Sequence, residues 1–210
     1  MVTSSGSDRI CQLGRVVNSS SHCDYVVQVD TVQDVATPPP EAYCGFGQFV
    51  ALETDRRHWA VGIVYNSQLF NPAFLNSGPR LTGAPDPLFT PDLIQETSTL
   101  LNVVLVGTLV REGKRTFGCH GIPRSIVPVN TPVYAVGEQT VHQFHLDDQA
   151  QPQFRYYAHL LSSGGTFATQ LTQQVLSTLM ASELFDPTEQ QALEILCKEL
   201  TWKNTLGVLG

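Results

Sequence analysis

Several short stretches of this chain carry residue types that could do chemistry. Ser162-Ser163-Gly164-Gly165-Thr166 lies between an apolar stretch and a helical pattern, the setting in which a glycine-rich backbone cradles phosphate. A phosphate loop also needs a lysine to reach the β and γ phosphates, and the sequence has none between Lys114 and Lys198. Gly113-Lys114-Arg115-Thr116 has a lysine, but its glycine spacing and the arginine that follows are wrong, so a turn between two strands is expected. His142 and His145, followed by Asp147 and Asp148, offer nitrogen and oxygen donors, to which Cys119 and His120 could add. On a polar stretch these donors satisfy no particular coordination geometry, and a solvated linker is expected instead. Cys119 beside His120 suggests a thiolate and its base. Adjacent residues of an extended chain present their side chains to opposite faces, and catalytic partners usually come from distant segments. His58-Trp59 reads as a packed strand start. No catalytic, cofactor-binding or metal-binding residue is therefore expected.

The elements that would position such groups are mostly strands. His58–Tyr65 and Leu100–Val110 are apolar runs rich in β-branched and aromatic residues, too short to span a membrane. Ile10–Val17 and Tyr25–Asp30 flank turn chemistry at residues 18–24, and Pro38-Pro39-Pro40 separates this hairpin from a second one, Gly45–Glu53 with the His58 run. A segment around Val127–Val136 supplies the sixth strand, enough for a small closed barrel. Between Tyr65 and Leu100 lies a proline-rich excursion, in which Thr90–Glu96 has the start signals of a short helix. Arg111–Arg124 reads as a loop rich in glycine and charge. Residues 138–153 are polar and suit a linker, while Phe154–Leu161 fits a strand or a short helix.

Two helices close the chain. Phe167, Leu171, Val175 and Leu179, with Leu176, Met180 and Leu184 on adjoining rows, repeat at helical spacing. Asp186-Pro187-Thr188-Glu189 has the form of a capping box, followed by Ala192, Leu193, Ile195, Leu196 and Leu200 on one face.

The 210 residues carry a net charge of −7, which argues against general nucleic-acid binding. The local basic group Arg111, Lys114, Arg115 and Arg124 reads as solubilising charge. The five cysteines are scattered and contain no Cys-x-x-Cys pair, the pattern of reduced thiols, and the first residues lack a basic and apolar leader, so a cytoplasmic location without membrane insertion is expected.

Gly14-Arg15-Val16-Val17, the strand at Phe49–Leu52, Gly62-Ile63-Val64 and Leu105–Val110 before a closing Pro132-Val133-Tyr134-Ala135 together resemble a HAS barrel. This is the N-terminal six-stranded barrel of HerA-type DNA translocases and of the catalytic subunits of rotary ATP synthases. The resemblance covers about the first two thirds of the chain. It implies ring assembly or docking of a partner, with ATP hydrolysed by a separate domain. The expected organisation is mainly β: a small six-stranded HAS-like barrel over residues 8–137, a linker over 138–165, and a helical C-terminal region over 166–208 that forms an α-helical hairpin. The expected function is a non-enzymatic docking adaptor, binding a protein partner such as a ring ATPase, or a second copy of itself. Alternatives are an accessory factor of a HerA-type DNA-processing system, touching phosphate through the Arg111–Arg124 loop, and a metal- or thiol-dependent enzyme. Candidate partner contacts are Trp59, Tyr65 and Phe70, Arg111 and Arg115, and Trp202 and Leu206, with Leu209 beyond them.

Overall fold

The computed structural model describes residues 9–55, 58–70, 98–163, 165–182 and 185–207. Its seven strands are β1 (Arg9–Ser19), β2 (Asp24–Val29), β3 (Phe49–Glu53), β4 (His58–Phe70), β5 (Ser98–Glu112), β6 (Arg115–His120) and β7 (Pro132–Val136). Four helices follow: α1 (Glu138–Phe144), α2 (Tyr156–Ser163), α3 (Ala168–Ala181) and α4 (Pro187–Gly207). All pairings are antiparallel, and β1, β2, β5, β4, β3 and β7 close in that order into a six-stranded barrel. These are the six strands expected from the sequence. The expected helix at Thr90–Glu96, Leu184 and Leu209 lie outside the described residues.

The seventh strand, β6, is a correction. Part of the presumed loop 111–124 doubles back on β5, from Glu112↔Arg115 to Gly107↔His120. Gly113, at φ +61°, supplies the left-handed residue of the tight turn. β5 thus shares one edge between two partners, pairing with β2 over residues 100–104 and with β6 over residues 107–112.

The two apolar runs are explained by burial on both faces. Ala60, Val64, Leu101, Val103 and Leu105 point into the barrel with Leu13, Tyr25, Val50, Leu52 and Val133. Their neighbours Trp59, Val61, Ile63, Val104, Val106 and Leu109 face outward, into a second core with Leu160, Leu171, Val175, Leu179 and Leu193 of the helices. The helices therefore pack on the barrel wall. Phe167, expected on the apolar face of the first C-terminal helix, instead precedes α3 and is 52% exposed. Ile195 on α4 is also exposed.

The segment 138–165, read as a linker, holds α1 and α2 and contributes Phe144, His145, Phe154, Tyr156 and Leu160 to buried positions. Its polar sequence hides this because much of its buried contact comes from a histidine and aromatic rings rather than a run of aliphatics. Helix α4 begins on the expected capping box. Asp186 Oδ1 accepts the backbone N–H groups of Thr188 and Glu189 at 2.8 and 2.9 Å, and the Glu189 carboxylate accepts that of Asp186 at 2.8 Å. Replacing Asp186 by Ala is expected to destabilise the fold by about 1 kcal/mol, read from the urea midpoint.

Candidate functional site

Chain topology gathers residues that the sequence keeps apart. β6 carries His120 toward α1 and α2, and α1 ends in Phe144 and His145, so the two imidazoles lie with ring centroids 5.6 Å apart. His145 is fully buried among Phe49, Phe144, Phe154, Tyr156 and Phe185, all with ring centroids within 5.7 Å of its own. Its Nδ1 lies 2.7 Å from the Val141 carbonyl oxygen, which can only accept, so Nδ1 carries the proton. Its Nε2 lies 2.8 Å from the Tyr156 hydroxyl, which then donates to it. Both nitrogens are occupied. His120 donates from Nε2 to the Phe144 carbonyl oxygen at 2.9 Å, and its Nδ1 is buried without a partner among the described residues. Burial pushes His120 down to about 4, with a smaller push from Arg155, and pushes His145 down to about 3, helped by His120 and His142. The cluster is a neutral latch that holds α1 on β6.

Two further contacts tighten the latch. The Gly118 N–H donates to the Leu146 carbonyl at 2.8 Å, and the Gln153 side-chain amide donates to the Gly118 carbonyl at 2.6 Å. Together they occupy the outer edge of β6 at that residue, protecting it against pairing with another strand.

The other candidates separate. Cys119 is exposed on the opposite side of β6 from His120, as strand alternation requires, and burial with Asp148 and Glu112 raises its thiol pKa. His142 packs its ring against Phe185. Among the described residues no cluster of three or more His, Cys, Asp or Glu is placed to hold a metal. Gly113 and Lys114 form the β5–β6 turn, while residues 165–167 form a 3-10 turn before α3. Asp55 caps the turn before β4: its Oδ1 accepts the His58 backbone N–H at 2.7 Å, and its Oδ2 lies 3.1 Å from His58 Nδ1.

Trp59, expected at a partner surface, is 6% exposed and stacks on Tyr134 with ring centroids 6.4 Å apart. Its side chain belongs to the core cluster outside the barrel. Arg111 lies over the same indole, 6.0 Å from its centroid, and the Arg115 guanidinium donates to the Asp148 carbonyl. Tyr65 is half-buried; its hydroxyl donates to Asp24 at 2.9 Å, and burial with the Asp24 carboxylate pushes it up to about 12. Trp202 and Leu206 fall on the last turns of α4, where their side chains lie outside the described residues.

Phe70 ends β4, beyond the part of that strand, residues 64–67, that walls a surface cleft. Beside the outer half of β4 a cleft of about 310 Å³ is lined by Cys44, Phe46, Val64–Ser67 and Phe167. Phe46 is 43% exposed, and along the same strand Leu69 and Phe70 are 80% and 41% exposed. Large apolar side chains gathered at one place on a surface mark interaction sites. No described helix is long and apolar enough to cross a membrane. A family model described as a domain of unknown function, DUF8166, matches residues 1–209. No curated protein matches the chain.

Proposed function

We propose that this chain, which belongs to the DUF8166 family, is a docking adaptor that receives a protein partner on the cleft beside β4. The observation that carries this reading is the grouping of the exposed Phe46 and Phe167 around one cleft walled by residues 64–67 of β4, the strand that goes on to the exposed Leu69 and Phe70. Burying such side chains is worth about 1.5–3 kcal/mol each when fully removed from water. The HAS-barrel resemblance supports the same reading, because there the barrel serves as a mount for assembly. The cytoplasmic location and the choice between a ring ATPase and another oligomer as partner belong to this proposal too.

Accessory work on DNA is the weaker alternative. Of the four basic side chains considered, Arg111 covers Trp59 and Arg115 is engaged by Asp148.

Affinity capture from native lysate with the wild-type chain and with the double variant Phe46→Asp, Leu69→Asp tests the proposal. The expected result is one partner retained in stoichiometric amount by the wild type and lost with the variant. A strictly monomeric wild-type protein that retains no partner, or a partner held equally by both, would contradict it.

A further inference from the structure

We infer that the β4 edge between Asn66 and Phe70 takes an extended apolar and basic peptide segment of a partner protein as an added strand, with one side chain seated between Phe46 and Phe167. This rests on the docking reading above and specifies how the partner is recognised.

The edge arises from a mismatch in strand length. β4 runs to Phe70 and stays paired with β5 as far as Phe70↔Ser98. On its other side, β3 pairing ends at Phe49↔Ile63. Two backbone hydrogen bonds extend it by one residue, Val64 N–H to the Gln48 carbonyl at 3.0 Å and Gly47 N–H to the Val64 carbonyl at 2.8 Å. There Gly47, at φ +84°, turns the chain away from β4, in a conformation that favours glycine. The register shift between Val64 and Asn66 bends the strand at the same place. Beyond it, no described strand pairs with the Asn66–Phe70 edge.

This edge is a firm template. Behind it, β5 pairs with β2 at Leu100↔Gln28, so three strands hold the backbone in place. Backbone N–H and C=O groups that no described strand takes up on such an edge can recognise an extended chain, whereas an amphipathic helix would leave them unsatisfied. Specificity then comes from side-chain pockets along the added strand, and the cleft lies directly on the edge, walled by Val64–Ser67. Its size fits one large apolar side chain. Charge adds a preference: the Asp24 carboxylate accepts the Tyr65 hydroxyl at the cleft wall, and Glu41 opens the 3-10 turn that ends in the wall residue Cys44. With the chain at −7 overall, a basic residue beside the apolar anchor is favoured.

The test uses the full chain, amide hydrogen exchange, and a phage-displayed library of short random peptides as the probe. In the free chain, those amides of residues 66–69 that point away from β5, every second one, are expected to exchange fast. Selected peptides should alternate apolar residues, carry lysine or arginine, and slow exchange at residues 66–69. Methylating the peptide backbone nitrogens that face the edge, or introducing Phe46→Asp or Phe167→Asp, should weaken binding roughly ten-fold or more. Slow exchange at the edge in the free chain would overturn the inference. Independent of protein concentration, it would mean that the chain's own residues occupy the edge; dependent on concentration, that a second copy does. Peptides whose protection maps elsewhere would overturn strand addition and leave docking standing. Failure to enrich any peptide would overturn strand addition, and failure of the lysate capture as well would remove the docking reading with it.

Discussion

Acidification from about pH 7 to about pH 4 is expected to remove most of the stability of this fold, because two buried histidines must gain protons on unfolding. In the folded chain His120 and His145 titrate near about 4 and about 3, against an ordinary value of 6.5. Between those values the unfolded chain binds more protons than the folded one. The stabilising contribution is therefore fully present above about pH 6.5 and is lost as the pH falls toward the folded values. At about 1.4 kcal/mol per pK unit, the two shifts are worth on the order of 3–5 kcal/mol each, against about 5–15 kcal/mol for a typical domain. The urea midpoint, followed by tryptophan fluorescence, should fall steeply below about pH 6. The double variant His145→Phe, Tyr156→Phe removes both partners of the buried pair and leaves the Val141 carbonyl its bond from the His145 backbone N–H at 3.2 Å. It should flatten the curve by about one proton. A wild-type midpoint that stays level from pH 7 to about 4.5 would refute the buried latch.

Gly118→Ala is expected to cost about 3–5 kcal/mol, more than most single substitutions. A Cβ at this residue would overlap the Phe144 carbonyl oxygen and come within 2.7 Å of its carbon, both backbone atoms that cannot rotate away. To make room, α1 must lift from β6. That movement loses the Gly118 hydrogen bonds to Leu146 and Gln153 and the His120 bond to the Phe144 carbonyl. For a domain of this length each kcal/mol lowers the thermal midpoint by about 2–4 °C, so a fall on the order of 10 °C is expected. Gly45→Ala is the control, since its Cβ would meet nothing nearer than 3.8 Å. A Gly118→Ala midpoint within about 2 °C of the wild type would show that β6 and α1 are not clamped.

The sequence was legible where one element buries aliphatic residues in a regular period. Val50, Leu52, Val103 and Leu105 alternate with outward-facing neighbours that the helices cover, and the six barrel strands are visible for that reason. The box at Asp186 was legible because capping depends on residues close in sequence. β6 was not, since Arg115-Thr116-Phe117-Gly118-Cys119-His120 lacks a repeating apolar face and is held by pairing with β5 and by the approach of Phe144. For the same reason 138–153 looked like a linker: His145 and Gln153 are buried by hydrogen bonds rather than by apolar patterning. The aromatics Phe144, Phe154 and Tyr156, set within a polar stretch, were the available signal.

The candidate site divides along similar lines. Phe70 was visible as an aromatic beside the long excursion, but Trp59 from the same set belongs to the core, a distinction that depends on which face of β4 the helices cover. Phe46 and Phe167 could not be joined to it from sequence. They come from segments before β3 and before α3 that are far apart in the chain and both line the cleft.

Site-specific photocrosslinking in the native cell tests the docking surface most directly, with the photoreactive residue placed in turn at Phe46, Leu69 and Lys198. Lys198 is exposed on α4 and is not among the residues that line the cleft. The predicted result is one discrete protein adduct from the Phe46 and Leu69 positions and none from Lys198. Adducts equally strong from Lys198, or no adduct from either cleft position, would contradict it.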